Sequence, residues 1–188
     1  MKKIIIREER ERKERKNRTI LGIILVGIMV LSSAGYAIYN TEKDDIEKIN
    51  YKGTEFNLKQ DNLWHFTFEN KEFSTFYNPE QTENIISDNL NLNKFYGGIL
   101  YFSQDSDTEG INEIFKNIGM FFSRIQEACI EECKEDLPVK NCSDNIILIR
   151  EASENLIKQE DNCVYILANK TETIKASDAF IFKFLQIQ

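Results

Sequence analysis

Apolar positions are first concentrated in one uninterrupted block near the start of the chain. Thr19–Tyr39 contains 21 residues without a charge. In an α-helix these residues extend over about 30 Å, the thickness of the hydrocarbon core of a bilayer. The block therefore predicts a transmembrane helix over residues 19–39. A cleaved signal peptide is the alternative, with its apolar core at Ile20–Leu31 and small residues at Gly35–Ala37.

Beyond this block, apolar and polar residues alternate in three short runs. Phe56 and Leu58 form the first run, the second contains Trp64, Phe66 and Phe68, and the third is centred on Phe73 and Phe76. A period of two over short runs is typical of strands with one buried face. We expect an antiparallel meander here, with His65 as an exposed strand residue on the face opposite Trp64.

Helical patterns follow the meander. Asn78, Pro79 and Gln81 have the spacing of a capping box with proline in the first turn. A long amphipathic helix is predicted after a second capping box at Ser106 and Glu109. Its apolar stripe consists of Ile111, Ile114, Phe115, Ile118, Phe121, Phe122, Ile125 and Cys129.

The start of this helix also resembles a calcium-binding loop. Asp105, Asp107 and Glu109 precede Gly110 at the spacing of such a loop. The position that requires a bidentate glutamate is occupied by Lys116, so we favour the capping box and expect no metal.

The remaining segments complete an α+β fold. Residues 95–102, 145–151 and 163–168 read as strands, and 155–161 could form a hairpin with the last of them. The final segment alternates as a strand at Phe180, Phe182 and Phe184, but Ser177 and Ala176 favour a helix. Without strict strand–helix alternation, we expect a transmembrane helix followed by one exported domain, whose mainly antiparallel sheet packs on the long amphipathic helix.

Charge changes the picture on both sides of the apolar block. Residues 1–18 contain nine Lys and Arg against four Glu, and residues 40–188 contain 15 basic and 27 acidic side chains. Basic flanks stay on the cytoplasmic side of a membrane. We therefore expect a cytoplasmic segment 1–18, a helix 19–39 in the lipid bilayer, a stalk 40–50 and an extracytoplasmic domain 51–188. The acidic domain disfavours nucleic acid as a partner.

All four cysteines lie in the part expected to be exported. Disulfides persist in oxidising compartments, so Cys129, Cys133, Cys142 and Cys163 are candidates for two bridges. We expect the pairs Cys133–Cys142 and Cys129–Cys163, although three pairings are possible. Zinc binding and thiol-redox chemistry are weaker alternatives, because no Cys-x2-Cys pair occurs.

The sequence contains no recognised catalytic or cofactor-binding motif, so no catalytic residue or cofactor is predicted. Asn141 and Asn169 begin N-glycosylation sequons on the expected exported side. A third sequon, at Asn17, falls in the expected cytoplasmic segment.

A family resemblance lies in the basic start followed by an apolar block, and in the segments "ACIEEC", "LPVKNCSDNIILIRE", "NCVYI" and "SDAFIFKFL". In these features the chain resembles single-span membrane proteins of small-genome archaea whose activity is not characterised. This resemblance implies the architecture and no activity. Our hypothesis is a membrane-anchored extracytoplasmic module that binds another envelope protein without catalysing a reaction. The alternative is an exported thiol-redox or metal-handling protein that uses Cys129 and Cys133.

Overall fold

The computed structural model describes residues 7–39, 45–130 and 136–188. The chain divides into two compact units, one within residues 1–44 and the other over residues 45–188. Cys133 and residues 40–44 of the expected stalk lie outside the described residues.

The first unit contains a single described helix, α1, Arg7–Tyr39. It begins in the charged segment and continues through the apolar block, and Thr19 at the junction donates its hydroxyl to the carbonyl of Arg15 at 2.9 Å. The predicted transmembrane helix 19–39 is wrong on this structure, because none of the described helices is both long and apolar enough to cross a membrane. The apolar block is not an element of its own but part of a helix that begins among charged residues.

The second unit opens with a four-stranded antiparallel sheet. Its strands are β1 Asp45–Tyr51, β2 Thr54–Lys59, β3 Trp64–Phe68 and β4 Lys71–Thr75, in chain order across the sheet. Phe66 lies opposite both Phe56 and Phe73, and all three rings are buried on one face. The predicted meander is therefore present. Residues 45–50, expected in the stalk, instead form most of edge strand β1.

The larger sheet is mixed and has six strands. They are β5 Ile86–Ser87, β6 Ile99–Ser103, β7 Arg124–Ala128, β8 Ile146–Glu151, β9 Leu156–Glu160 and β10 Cys163–Ala168, in the order β5-β9-β10-β8-β6-β7. Only the β9–β10 hairpin is antiparallel, and the other pairings are parallel. The fold is α+β with an antiparallel sheet, but the expectation of a mainly antiparallel sheet fails for this larger one.

The helices of this unit are α2 Pro79–Thr82, α3 Thr108–Ile118 and α4 Thr173–Phe184. The capping box of α2 is present between Asn78 and Gln81, and the final segment is a helix as predicted. The cap of α3 is Asp107, whose side chain accepts the amide of Gly110 at 2.9 Å. Ser106, the predicted cap, instead accepts the amide of Ile149 in β8.

The predicted long helix is wrong beyond Ile118. A short 3-10 turn, Gly119–Phe121, ends α3, and the chain continues as β7 beside β6. Ile125 packs on the main core from this strand. The apolar residues of the predicted stripe are therefore divided among a helix, a turn and a strand. The last part forms a strand because β6 offers an open edge with which β7 can pair.

Helix α4 lies between the two sheets. Residues 176–182 are all buried, so this part of the helix has no solvent-exposed face. Phe182 contacts the rings of Phe56 and Phe66 in the first sheet, while α4 also packs on β9, β10 and α3. A helix that is apolar all round is expected where protein surrounds it.

Candidate functional site

A disulfide joins Cys142 to Cys163 at the start of β10, with Cα atoms 4.9 Å apart. The expected pairs Cys133–Cys142 and Cys129–Cys163 are therefore wrong. Cys129 is itself disulfide-bonded. The observed pairing follows from strand order: β8 and β10 are parallel neighbours, and the amide of Asn162 donates to the carbonyl of Cys142 at 3.0 Å. The segment before β8 is thereby placed beside the start of β10.

This disulfide borders a second, smaller apolar cluster on the face of the larger sheet opposite α4. The buried members of the cluster are Tyr101, Ala128, Ile146, Leu148 and Cys163. Lys140 lies over the ring of Tyr101 at 4.4 Å, and Cys142 Sγ lies 3.8 Å from the hydroxyl of Tyr165. The bond therefore holds the segment around Cys142 against a sheet face that would otherwise present apolar side chains to water.

A buried polar cluster connects α3, α4 and β4. Glu113 is 4% exposed and Asp178 is fully buried. Asp178 Oδ2 accepts the amide of Tyr77 at 2.8 Å, and Glu113 Oε1 accepts Asn117 Nδ2 at 3.0 Å. Asn117 Oδ1 in turn accepts the amide of Ser74 in β4. Within the described part of the chain, Asp178 Oδ1 has no hydrogen-bond partner.

The two carboxyl groups influence each other. Burial raises the pKa of Asp178 well above its ordinary value, and the charge of Glu113 raises it further. Burial also raises the pKa of Glu113, against the opposing effects of Lys116 and Asn117. Two carboxylates so close together in a buried place do not both ionise readily, so the pair can retain a proton between the helices. Because neither group is open to solvent, we interpret the pair as structural.

We predict that this pair makes the domain more stable in mild acid than at neutral pH. Both pKa values are raised on folding, so the folded state holds protons more tightly than the unfolded chain. The contribution of the pair to the free energy of unfolding is fully present below the ordinary carboxyl pKa values of 3.8 and 4.5, and it is lost as pH rises through the raised ones. Urea unfolding between pH 4 and about pH 8 measures this.

Asp178→Asn is the matched test of this pH dependence. The asparagine side chain still accepts the backbone N–H of Tyr77 but carries no charge. The variant should therefore be more stable than the parent at the alkaline end, and its free energy of unfolding should change much less with pH. Asp105→Asn changes an exposed aspartate of α3's entry loop and should retain the slope. An unchanged slope in Asp178→Asn would contradict the assignment.

An exposed apolar patch lies where β6 and β7 begin. We define it as Met120, which is 53% exposed, and the adjoining Phe121, which is half-buried. Ile99 is 40% exposed but alternates with Leu100 of the main core, so it lies with Tyr101 on the other face of the sheet. The amide of Gly97 donates to the carbonyl of Phe121 at 2.8 Å, so the turn that carries the patch is held against the loop before β6. Lys71 lies over the ring of Phe121 at 4.1 Å and places a positive charge on the patch. Exposed Arg124 pairs with Ile99 and lies on the other face of the sheet.

The other residues singled out from the sequence are dispersed. Asn141 and Asn169 are exposed, and Asn141 Oδ1 accepts both the amide and the hydroxyl of Ser143. His65 is half-exposed and bonds to Asp61 at 2.8 Å; the amide of Leu63, followed by His65, lowers the pKa of that aspartate. No group of three or more metal-ligating side chains occurs among the described residues.

The carboxyl pair and the patch were not identified from the sequence. A single acid within an otherwise apolar final helix, Asp178, was the available signal for the first. Met120 and Phe121 were assigned to the long helix, so their place on a turn after α3 could not be anticipated.

Comparison of the chain with protein-family models, curated proteins and solved structures found no match. The resemblance to archaeal single-span proteins therefore stays a prediction, and the functional conclusion depends on the geometry of this chain.

Proposed function

We propose that this chain is a non-enzymatic module that binds another protein of the cell envelope, outside the cytosol and next to a lipid bilayer. The observation that carries the proposal is the patch of exposed Met120 and half-buried Phe121. Methionine and aromatic side chains are enriched in protein interfaces, and methionine adapts its shape to a partner. An exposed cluster of such residues with a charged rim marks an interaction surface.

Charge indicates what kind of partner fits. The chain as a whole carries a net charge of −7, yet Lys71 places a positive charge on the ring of Phe121 in the patch. A protein surface with an apolar centre and acidic residues around it is complementary to that arrangement. The acidic character of the rest of the chain disfavours nucleic acid.

The disulfide and helix α1 support the proposed location. A bond between Cys142 and Cys163 persists in oxidising compartments, as expected for a domain outside the cytosol. In α1, the apolar side chains between Ile20 and Leu31 are 52–74% exposed, and exposed Arg15, Lys16 and Arg18 precede them. Apolar side chains beside basic ones favour contact with anionic lipid.

We expect a photo-crosslinking residue at position 120 to capture one discrete protein in the native envelope fraction. The matched control carries the same residue at Ile86, which is 64% exposed on the opposite edge strand β5. Lys71→Glu reverses the charge beside Phe121 and should lower the yield of the adduct roughly tenfold, because like charges on the two surfaces would then repel. The proposal fails if position 120 gives no adduct, or if position 86 gives the same one.

A further inference from the structure

The segment Asn89–Asn93, with the sequence Asn-Leu-Asn-Leu-Asn, presents a row of amides to solvent. Leu92 is buried and Leu90 is half-buried against the main core, whereas Asn89, Asn91 and Asn93 are exposed. Among the described residues, none of these three side-chain amides has a hydrogen-bond partner. Each amide therefore offers both a donor and an acceptor to a ligand.

The main chain of this segment is fixed by one side chain from β9. Gln159 Oε1 accepts the amide of Asn91 at 2.6 Å, and Gln159 Nε2 donates to the carbonyl of Asn91 at 3.1 Å and to that of Asp161 at 2.7 Å. Because Gln159 bonds to the backbone of Asn91 and not to its side chain, the main chain at Asn91 is fixed while the side-chain amide stays open to solvent.

Two clefts lie on either side of Asn91, which lines both. The first has a volume of about 360 Å³ and is also lined by Lys94, Ser143, Gln159 and Asn162. The second has a volume of about 390 Å³ and is also lined by Asn89, Asn93, Tyr96 and Gln186. Each lies within the size range of small-molecule sites, about 300–1,000 Å³.

A fixed aromatic ring completes the second cleft. Tyr96 donates its hydroxyl to the carbonyl of Phe184 at 2.6 Å, and its ring stacks on Phe184 at 4.5 Å. Even so, 40% of Tyr96 is exposed. Tyrosine combines an apolar ring face with a polar tip, and the ring is here held beside the row of amides.

We propose that the clefts on the two sides of Asn91 bind a neutral oligosaccharide. Sugar hydroxyls both donate and accept hydrogen bonds, as side-chain amides do, and the C–H face of a sugar ring packs on an aromatic ring. Two clefts joined at one residue suit more than one sugar unit. The two linings contain three charged side chains, Lys94 and Asp161 in the first cleft and Lys183 in the second. A highly charged ligand would find no cluster of opposite charges there, so it is disfavoured. This inference is independent of the proposed protein-binding function.

Calorimetric titration of the full-length protein with chitotetraose, cellotetraose and maltotetraose tests this site. We expect at least one of the three to bind, and Asn91→Ala to weaken that binding about tenfold or more, which corresponds to about 1.4 kcal/mol. Asn84→Ala changes another exposed asparagine outside both clefts and should bind as the parent does. Circular dichroism should show that both variants are folded, because Gln159 bonds to the main chain of Asn91 and not to the side chain that is removed.

Three results would overturn the proposal. They are no binding of any neutral probe, an equal loss of binding in Asn84→Ala and Asn91→Ala, and binding of an acidic oligosaccharide such as tetragalacturonate in place of the neutral ones. Crosslinking at position 120 is a separate measurement, so failure of the oligosaccharide site is distinguishable from failure of the protein-binding function.

Discussion

Replacing Cys142 and Cys163 together by serine is expected to lower the free energy of unfolding by at least about 3 kcal/mol. The bond joins residues that are 21 positions apart, and closing a loop of that length in the unfolded chain accounts for about this amount in the chain-entropy model. The folded state should lose stability as well, because the segment around Cys142 would no longer be held on the cluster of Tyr101, Ile146 and Leu148.

Urea unfolding followed by the fluorescence of Trp64 measures this effect. Trp64 is the only tryptophan, is 3% exposed and lies in the first sheet, far along the chain from the bond. If removing the disulfide lowers the urea midpoint of the Trp64 transition, the two sheets unfold together. Ser143→Ala, next to the bond, is a control that leaves the disulfide in place and should change stability by less than about 1 kcal/mol. A double serine variant as stable as the parent would show that the bond contributes nothing.

Gly110→Ala should destabilise the domain by about 1–3 kcal/mol, although alanine is the better helix former. A methyl group at this position in α3 would lie 2.8 Å from Ile149 Cδ1 and 2.8 Å from Ser177 Oγ. Overpacking of a core costs about 1–3 kcal/mol, which exceeds the gain of about 1 kcal/mol from helix propensity. The close approach of α3 to α4 and β8 therefore depends on the absence of a side chain at residue 110.

Two further variants make the Gly110 experiment specific. Gly119→Ala places a methyl group 3.4 Å from Ile125 Cδ1, a much looser contact, and should leave stability within about 1 kcal/mol of the parent. Adding Ile149→Val to Gly110→Ala removes the clashing Cδ1 atom and should recover part of the loss, as a double-mutant cycle would show. If Gly110→Ala is more stable than the parent, the packing argument is wrong.

Local patterns predicted those elements whose contacts are close in the chain. The alternation around Phe56, Phe66 and Phe73 predicted the meander, because hairpin neighbours are adjacent in sequence and one face of the sheet is buried. The cap at Asn78 was also correct, because a capping box involves only residues three positions apart. The same local reasoning failed after Ile118, where a partner from another part of the chain, β6, turns an apolar stripe into a strand.

The candidate sites required long-range information throughout. Glu113 and Asp178 come together only because α3 and α4 cross, and Cys142 meets Cys163 only because β8 and β10 are parallel neighbours. The amide row at Asn89–Asn93 is visible in the sequence, but Gln159 and Tyr96, which would complete a binding site there, come from other parts of the fold. The transmembrane helix was inferred from the block 19–39 in isolation, whereas the structure places this block within a helix that begins at Arg7.

The sequence by itself determined the short strands of the meander, the capped turn, the final helix and the acidic charge. Each of these depends on residues that are close together in the chain. The tertiary structure decided strand order, the end of α3, the disulfide pairing and the grouping of the carboxyl and amide residues. These features depend on which distant segments pair, and that choice is made by the burial and backbone hydrogen bonding of the whole domain.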